Sequence, residues 1–316
     1  MKKMQFMTVW LIMGILIAPN IYGTDFENSL NGSLVGDNAI LSGRGSMTFS
    51  YARVDSMGTK AEEEDRAFRS NLASEMKAVI RNSENIEISF IFDGPKIKFI
   101  EKSTNIFPDG KTFPQHWQWA YNGEKLDLLR LDGLKDGIIV PMGSVRTANE
   151  IPVHKFDPRH FGMGIMGTPV NSFLKGSLGG NAVKDLEIIG EETQNSIICK
   201  KFRGNIPDSK STITAWLAPN LMYRPVKIEI ESFDEIIEVQ NSYKEHLGGV
   251  WFPKKVHKKT FYINSKSEKV LYAEEILQIQ DDFEVNVEFD AQEFELEFPR
   301  GLKVYDYRIA KYIDID

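Results

Sequence analysis

Apolar and polar residues alternate along most of this chain, and this alternation restricts its fold more than any other feature. The pattern starts with Met47, Phe49 and Tyr51 and returns in one segment after another. Successive side chains of a β-strand point to opposite faces, so a period of two indicates strands with one buried face. The sequence therefore predicts a mainly β protein.

Short turn sequences join two pairs of these segments into predicted hairpins. The pattern of residues 86–92 ends at Asp93 and Gly94, and that of residues 117–121 ends at Asn122 and Gly123. Such pairs suit type I′ turns, whose two central residues have positive φ. Seven more strands are predicted at residues 186–192, 196–202, 212–218, 226–232, 235–243, 250–262 and 270–281. We expect the alternation over residues 283–298 to close the pattern.

Two segments depart from the strand pattern. Residues 61–81 carry an apolar stripe at helical spacing and a charged opposite face, which predicts a helix packed on the sheet. Residues 131–184 are rich in Gly and Pro, with a short helix predicted at 169–175. The predicted fold is α+β: a highly curved antiparallel sheet or incomplete β-barrel with a packed helix and a helical or loop lid. We expect one β domain over residues 43–308, with 131–184 as its flap and 309–316 as a tail.

The N-terminus has the features of an export signal. Lys2 and Lys3 precede an apolar run that is too short to span a bilayer, and the pattern ends near residue 20. We interpret residues 1–23 as a signal peptide and 24–42 as an N-terminal extension, with an uncleaved membrane anchor as the alternative. The expected location is periplasmic or secreted. The formal net charge of −7 argues against nucleic acid as a partner.

Short sequence words in the second half resemble a known group of proteins. They are Ala-Trp-Leu-Ala-Pro at 215–219, Tyr-Arg-Pro-Val-Lys at 223–227 and Gly-Gly-Val-Trp-Phe-Pro at 248–253, with the ending of residues 298–306. Together with the early helix and the hairpins, they are similar to the LolA-like superfamily of periplasmic outer-membrane lipoprotein carriers and RseB-type sensor domains. The resemblance implies a half-open β-barrel with a lid and an apolar ligand.

The sequence contains no recognised catalytic motif. His154, Asp157 and His160 have a spacing that could gather metal ligands on a helix, but Pro158 opposes a regular helix there. The single cysteine, Cys199, is expected to be a buried structural residue. We therefore predict no catalytic residue, no metal and no cofactor, and keep an exported hydrolase as a weaker alternative.

Aromatic and methionine side chains are the candidate ligand contacts. The predicted ligand-binding residues are Trp117, Trp119, Phe90, Phe92, Met163, Met166 and Trp216. Large aromatic side chains and flexible thioethers adapt to apolar ligands, although ordinary core packing would use the same residues. The expected ligands are lipid or lipoprotein acyl chains, bound by a monomer with a possible inner- or outer-membrane partner protein. An envelope-stress sensor or interaction module of the RseB type is the alternative.

Overall fold

The computed structural model describes residues 24–38, 40–53, 86–106, 112–132, 134–135, 138–139, 141–147, 156–158, 161, 163, 168–178, 180–246, 249–263 and 268–316. The predicted signal peptide, the helix predicted at 61–81 and parts of the flap lie outside these residues.

The described chain forms two helices and twenty strands. The helices are α1 (Thr24–Asn38) and α2 (Val170–Leu174). The strands are β1 (Ser42–Arg53), β2 (Ile86–Asp93), β3 (Lys96–Ile106), β4 (Thr112–Tyr121), β5 (Lys125–Arg130), β6 (Leu134–Lys135), β7 (Ile138–Ile139), β8 (Met142–Thr147), β9 (Ser177–Leu178), β10 (Asn181–Ala182), β11 (Lys184–Gln194), β12 (Ile197–Ile206), β13 (Ser211–Ala218), β14 (Arg224–Glu231), β15 (Glu235–His246), β16 (Val250–Ile263), β17 (Lys269–Ile279), β18 (Glu284–Val285), β19 (Lys303–Asp306) and β20 (Lys311–Asp314).

Sixteen of these strands form one curved sheet that does not close into a barrel. Its order is β11-β12-β13-β14-β15-β16-β17-β1-β2-β3-β4-β5-β8-β19-β20, and β18 pairs with the start of β1. Two antiparallel meanders, β1 to β5 and β11 to β17, meet where β1 pairs with β17. One pair is parallel, β19 with β8. The predicted fold class, a mainly β protein with a curved incomplete barrel, is confirmed.

The sheet has an apolar inner face that holds the main core. Side chains of Met47, Phe49, Phe90, Phe99 and Leu277 lie on this face and are buried. Alternation along each strand places these residues on one side, as the period of two predicts. The opposite side is called the outer face below.

The two predicted hairpins form, but their turns are not of type I′. Gly94 and Gly123 each occupy the first position of a two-residue loop, with φ of +53° and +104°. The second loop positions are Pro95 and Glu124, and neither has positive φ. Proline fixes φ near −65°, so a turn with Pro95 cannot have positive φ at both central residues.

Two terminal segments contain regular secondary structure. Residues 24–42, interpreted as an extension, contain helix α1, and the expected tail at 309–316 contains the edge strand β20. The alternation over residues 283–298 gives only the short strand β18, after which the chain crosses the outer face. There Leu296 and Phe298 pack on Ala120 and Leu129. Here the alternation of apolar residues therefore comes from a segment that packs on the sheet without forming a strand.

Candidate functional site

The inner face carries a continuous group of aromatic rings. The rings of Phe99 and Trp119 stack with centroids 4.6 Å apart. Phe90 lies 6.4 Å from both Phe92 and Phe99, and 5.6 Å from Phe283. These centroid distances are typical of aromatic pairs that contribute beyond their buried area. The structure therefore brings together three of the predicted ligand-binding residues, Phe90, Phe92 and Trp119.

A separate segment covers this face. We call the described residues of 156–183 the cover; they include α2 and the short strands β9 and β10. Phe156, Phe161, Met163 and Phe173 of the cover are fully buried. The ring of Phe156 lies 4.9 Å from that of Phe49 on β1. Met163 thus contacts the core as part of the cover, and Met166 lies outside the described residues.

The cover is hydrogen-bonded to itself. The backbone N–H of Met163 donates to the carbonyl of Thr168, and that of Val183 donates to the carbonyl of Gly176. Strands β9 and β10 pair with each other, in a small sheet separate from the large one. The cover packs on the sheet through apolar side chains, as the contact between the rings of Phe156 and Phe49 shows.

Helix α1 extends the cover toward β12. It packs against α2, and the ring of Phe26 meets that of Phe202 edge-on at 5.9 Å. Its buried residues Phe26, Ser29 and Ser33, with the partly buried Leu30, follow the i, i+3, i+4, i+7 spacing of one helical face. Two of the four are serines, so this face was not evident from hydrophobicity.

Charged side chains border the apolar part of the inner face. Trp117 lies on the same face as Trp119. The guanidinium of Arg130 lies 4.9 Å from the centroid of the Trp117 ring. On β16 and β17, Lys258 Nζ donates to Glu275 Oε1 at 2.7 Å. Cation–π and ion-pair contacts keep these charges compensated beside apolar neighbours. Arg130, Lys258 and Glu275 were not evident from the sequence as inner-face residues, because isolated charges in alternating strands usually face solvent.

Trp216 does not join the inner-face residues. Its neighbours on β12 and β14, Lys201 and Lys227, lie 4.8 and 4.5 Å from the indole ring centroid, and its Nε1 donates to Glu192 Oε2 at 2.9 Å. It belongs to a separate buried cluster that includes Cys199. Burial raises the pKa of the Cys199 thiol to about 11, so the thiol is protonated at neutral pH. The expectation that Cys199 is buried is confirmed.

The outer face holds a polar network. Lys125 Nζ lies 2.8 Å from Asp127 Oδ2 and 3.0 Å from Glu295 Oε2. Burial raises the pKa of Asp127 above its usual range despite the hydrogen bond from Lys125. An open cavity of about 530 Å³ also lies on the outer face. Lys98 lines this cavity, and its Nζ donates hydrogen bonds to two backbone carbonyl oxygens of the segment that crosses the outer face.

The residues proposed or considered for chemistry do not form a reactive group in the part of the chain that the structure describes. Asp157 is buried in the cover, while His154 and His160 lie outside the described residues. No set of three or more His, Cys, Asp or Glu side chains among the described residues is placed to hold a metal ion. Within the same residues, no helix has the length and apolar character needed to cross a membrane.

The fold and site define a class: a curved, open β-sheet whose apolar inner face is closed by a separate cover. No protein-family model matches the chain, and no curated protein sequence matches it significantly. Solved structures with some similarity include a DUF1329 family protein from Desulfovibrio piger, with 10% identity and a TM-score of 0.36. The match covers 85% of this chain and 95% of that one.

Two more solved structures show a similarity of the same size. A putative outer membrane lipoprotein-sorting protein domain from Vibrio parahaemolyticus is 11% identical, with a TM-score of 0.37 and coverage of 85% of this chain and 95% of that one. A LolA superfamily protein from Nitrosomonas europaea is 10% identical, with a TM-score of 0.35 and coverage of 85% and 97%. All three matches cover most of both chains at low sequence identity.

Proposed function

We propose that this protein binds the acyl chains of a lipid or lipoprotein between the inner face of its sheet and the cover, and acts as a non-enzymatic carrier. One observation carries the proposal: a continuous apolar face is covered by a packed segment whose two short strands belong to a small sheet separate from the large one. Such a segment can move away without breaking the hydrogen bonds that hold the large sheet together. The inner face is then available to an apolar ligand.

The cover and an acyl chain would compete for the same apolar surface of the sheet. Opening the cover exposes Phe156, Phe161, Met163 and Phe173, which is unfavourable in water. An acyl chain that takes their place on the sheet contributes about 0.8 kcal/mol for each buried methylene. The closed form is therefore stable without ligand. Because only open molecules can bind, the apparent affinity equals the affinity of the open form multiplied by the fraction of molecules that are open.

We further propose that the protein works outside the cytoplasm. The basic and then apolar character of residues 1–23 supports export. N-terminal sequencing of the protein from the exported fraction should begin at or within a few residues of Thr24. A sequence that begins at Met1 would contradict cleavage.

Tryptophan fluorescence can test the binding site, because Trp119 lies on the inner face and Trp216 in the separate cluster. One variant keeps only Trp119 and a second keeps only Trp216, with the other four tryptophans changed to Phe in each. A fatty acid that carries bromine atoms in its acyl chain quenches tryptophan at short range. We expect strong quenching of the Trp119 variant and little of the Trp216 variant. Equal quenching of the two, or none, would refute binding at the inner face.

Copurification separates this proposal from a sensor or interaction module. An organic extract of the purified protein should contain lipid in a fixed ratio to protein by mass spectrometry. The same extract from a variant with an altered inner face, Phe90→Glu, should contain much less. Retained folding of that variant is checked by circular dichroism.

A further inference from the structure

We propose that the ion pair between Lys258 and Glu275 selects ligands with a zwitterionic head group. This inference rests on the proposed function, because the pair lies on the inner face. The pair is partly accessible: the side chains are 23% and 18% exposed. A ligand head group can therefore reach both charges, which a fully buried pair would not permit.

The strand register places this pair inside the apolar face. Lys258 lies opposite Val239 on one side and Glu275 on the other, and Glu275 lies opposite Tyr51. Val239 is fully buried, and Tyr51 packs on the main core. The pair thus continues a row of inner-face side chains across four adjacent strands.

The neighbouring row marks where a ligand tail would lie. It contains Val256, Leu277 and Phe49, all buried, and the ring of Phe156 from the cover rests on Phe49. The ion pair lies two residues farther along the same strands, which corresponds to about 7 Å at the usual rise per residue. An acyl chain in the position of the Phe156 ring would therefore place its head group beside the pair.

The chemistry of the pair indicates which head group fits. Lys258 and Glu275 offer one cation and one anion side by side, with no net charge. A head group with both charges can pair with both residues, whereas a singly charged one meets a like charge as well as an opposite one. Charge-assisted hydrogen bonds are among the stronger polar contacts, so the two arrangements should differ measurably in affinity.

Four probes with the same dodecyl tail test the inference on the full-length protein. They are dodecylphosphocholine, dodecyl phosphate, dodecyltrimethylammonium and dodecyl maltoside, each used as monomers to displace the neutral dye N-phenyl-1-naphthylamine. We expect the zwitterionic probe to bind about tenfold more tightly than the others. In Glu275→Gln the preference should move to dodecyl phosphate, and in Lys258→Met to dodecyltrimethylammonium.

Two further variants separate charge recognition from loss of folding. Glu274→Gln changes the adjacent residue, whose carboxylate meets His257 on the other face, and should leave the ranking unchanged. The exchange Lys258→Glu with Glu275→Lys keeps a pair and should keep the zwitterionic preference. Equal affinity for all four probes, or an unchanged ranking in Glu275→Gln, would overturn this inference alone. Failure of every probe to displace the dye would overturn the proposed function instead.

Discussion

Asp306 shows how single residues stabilise the edge of the sheet. Its carboxylate is buried and accepts hydrogen bonds from the guanidinium of Arg308 at 2.9 and 2.6 Å, and from the Arg308 backbone N–H at 2.9 Å. These hydrogen bonds hold the pKa of Asp306 below its usual range. The carboxylate therefore contributes stability above the ordinary aspartate pKa, and this contribution is lost as the pH falls through the lower, folded value.

The substitution Asp306→Asn should lower the free energy of unfolding at neutral pH by about 1–3 kcal/mol, because it removes charge-assisted hydrogen bonds. The deficit should shrink as the pH falls below about 4, because the unfolded chain then binds a proton more readily than the folded carboxylate does. Urea unfolding at several pH values measures both effects. A deficit that stays constant down to pH 2 would contradict a role for the ionised carboxylate.

At the scale of elements, α1 depends on close packing that a sequence pattern does not reveal. Gly32 faces the ring of Tyr223, and a Cβ at this position would lie 2.5 Å from ring atom Cδ2. The helix therefore approaches the turn before β14 at a place that admits no larger side chain. Its buried face contains two serines, and for this reason residues 24–38 were not predicted as a helix while the α2 region was.

The substitution Gly32→Ala should destabilise the docking of α1. Alanine favours a helix over glycine by about 1 kcal/mol, but overpacking costs about 1–3 kcal/mol, so we expect a net loss of about 1 kcal/mol. Limited proteolysis should cut near α1 sooner than in the wild type. The exposed position Asn31 provides the control, since Asn31→Ala should be neutral or slightly stabilising. Slower proteolysis of Gly32→Ala than of the wild type would contradict the packing argument.

At the scale of the whole molecule, the cover and the sheet are two parts joined by apolar contact. Met163→Glu places a charge in the fully buried part of this contact, at a cost of about 3 kcal/mol or more. Because the strands of the cover are not part of the large sheet, we expect the cover to open while the sheet stays folded. Fluorescence of the dye 1-anilinonaphthalene-8-sulfonate should rise several-fold, with little change in the far-ultraviolet circular dichroism spectrum.

Ile198 provides the matched control for this prediction. Its side chain is 64% exposed, so Ile198→Glu should change neither dye fluorescence nor stability by more than about 0.5 kcal/mol. Loss of strand signal together with dye binding in Met163→Glu would show that cover and sheet unfold as one unit. That result would remove the support for a cover that moves by itself.

The sequence by itself determined the long strands of the two meanders, the α2 region and which side chains of each long strand are buried together, because the period of two is a local property of the backbone. It also placed Phe90, Phe92 and Trp119 among seven candidate ligand contacts, and the structure brings these three to one face. Only the tertiary structure decided that Trp216 belongs to another cluster, that the chain crosses the outer face after β18, and that the cover packs on the inner face. These outcomes depend on contacts between residues far apart in the chain, such as the pairing of β1 with β17, and no local pattern encodes them.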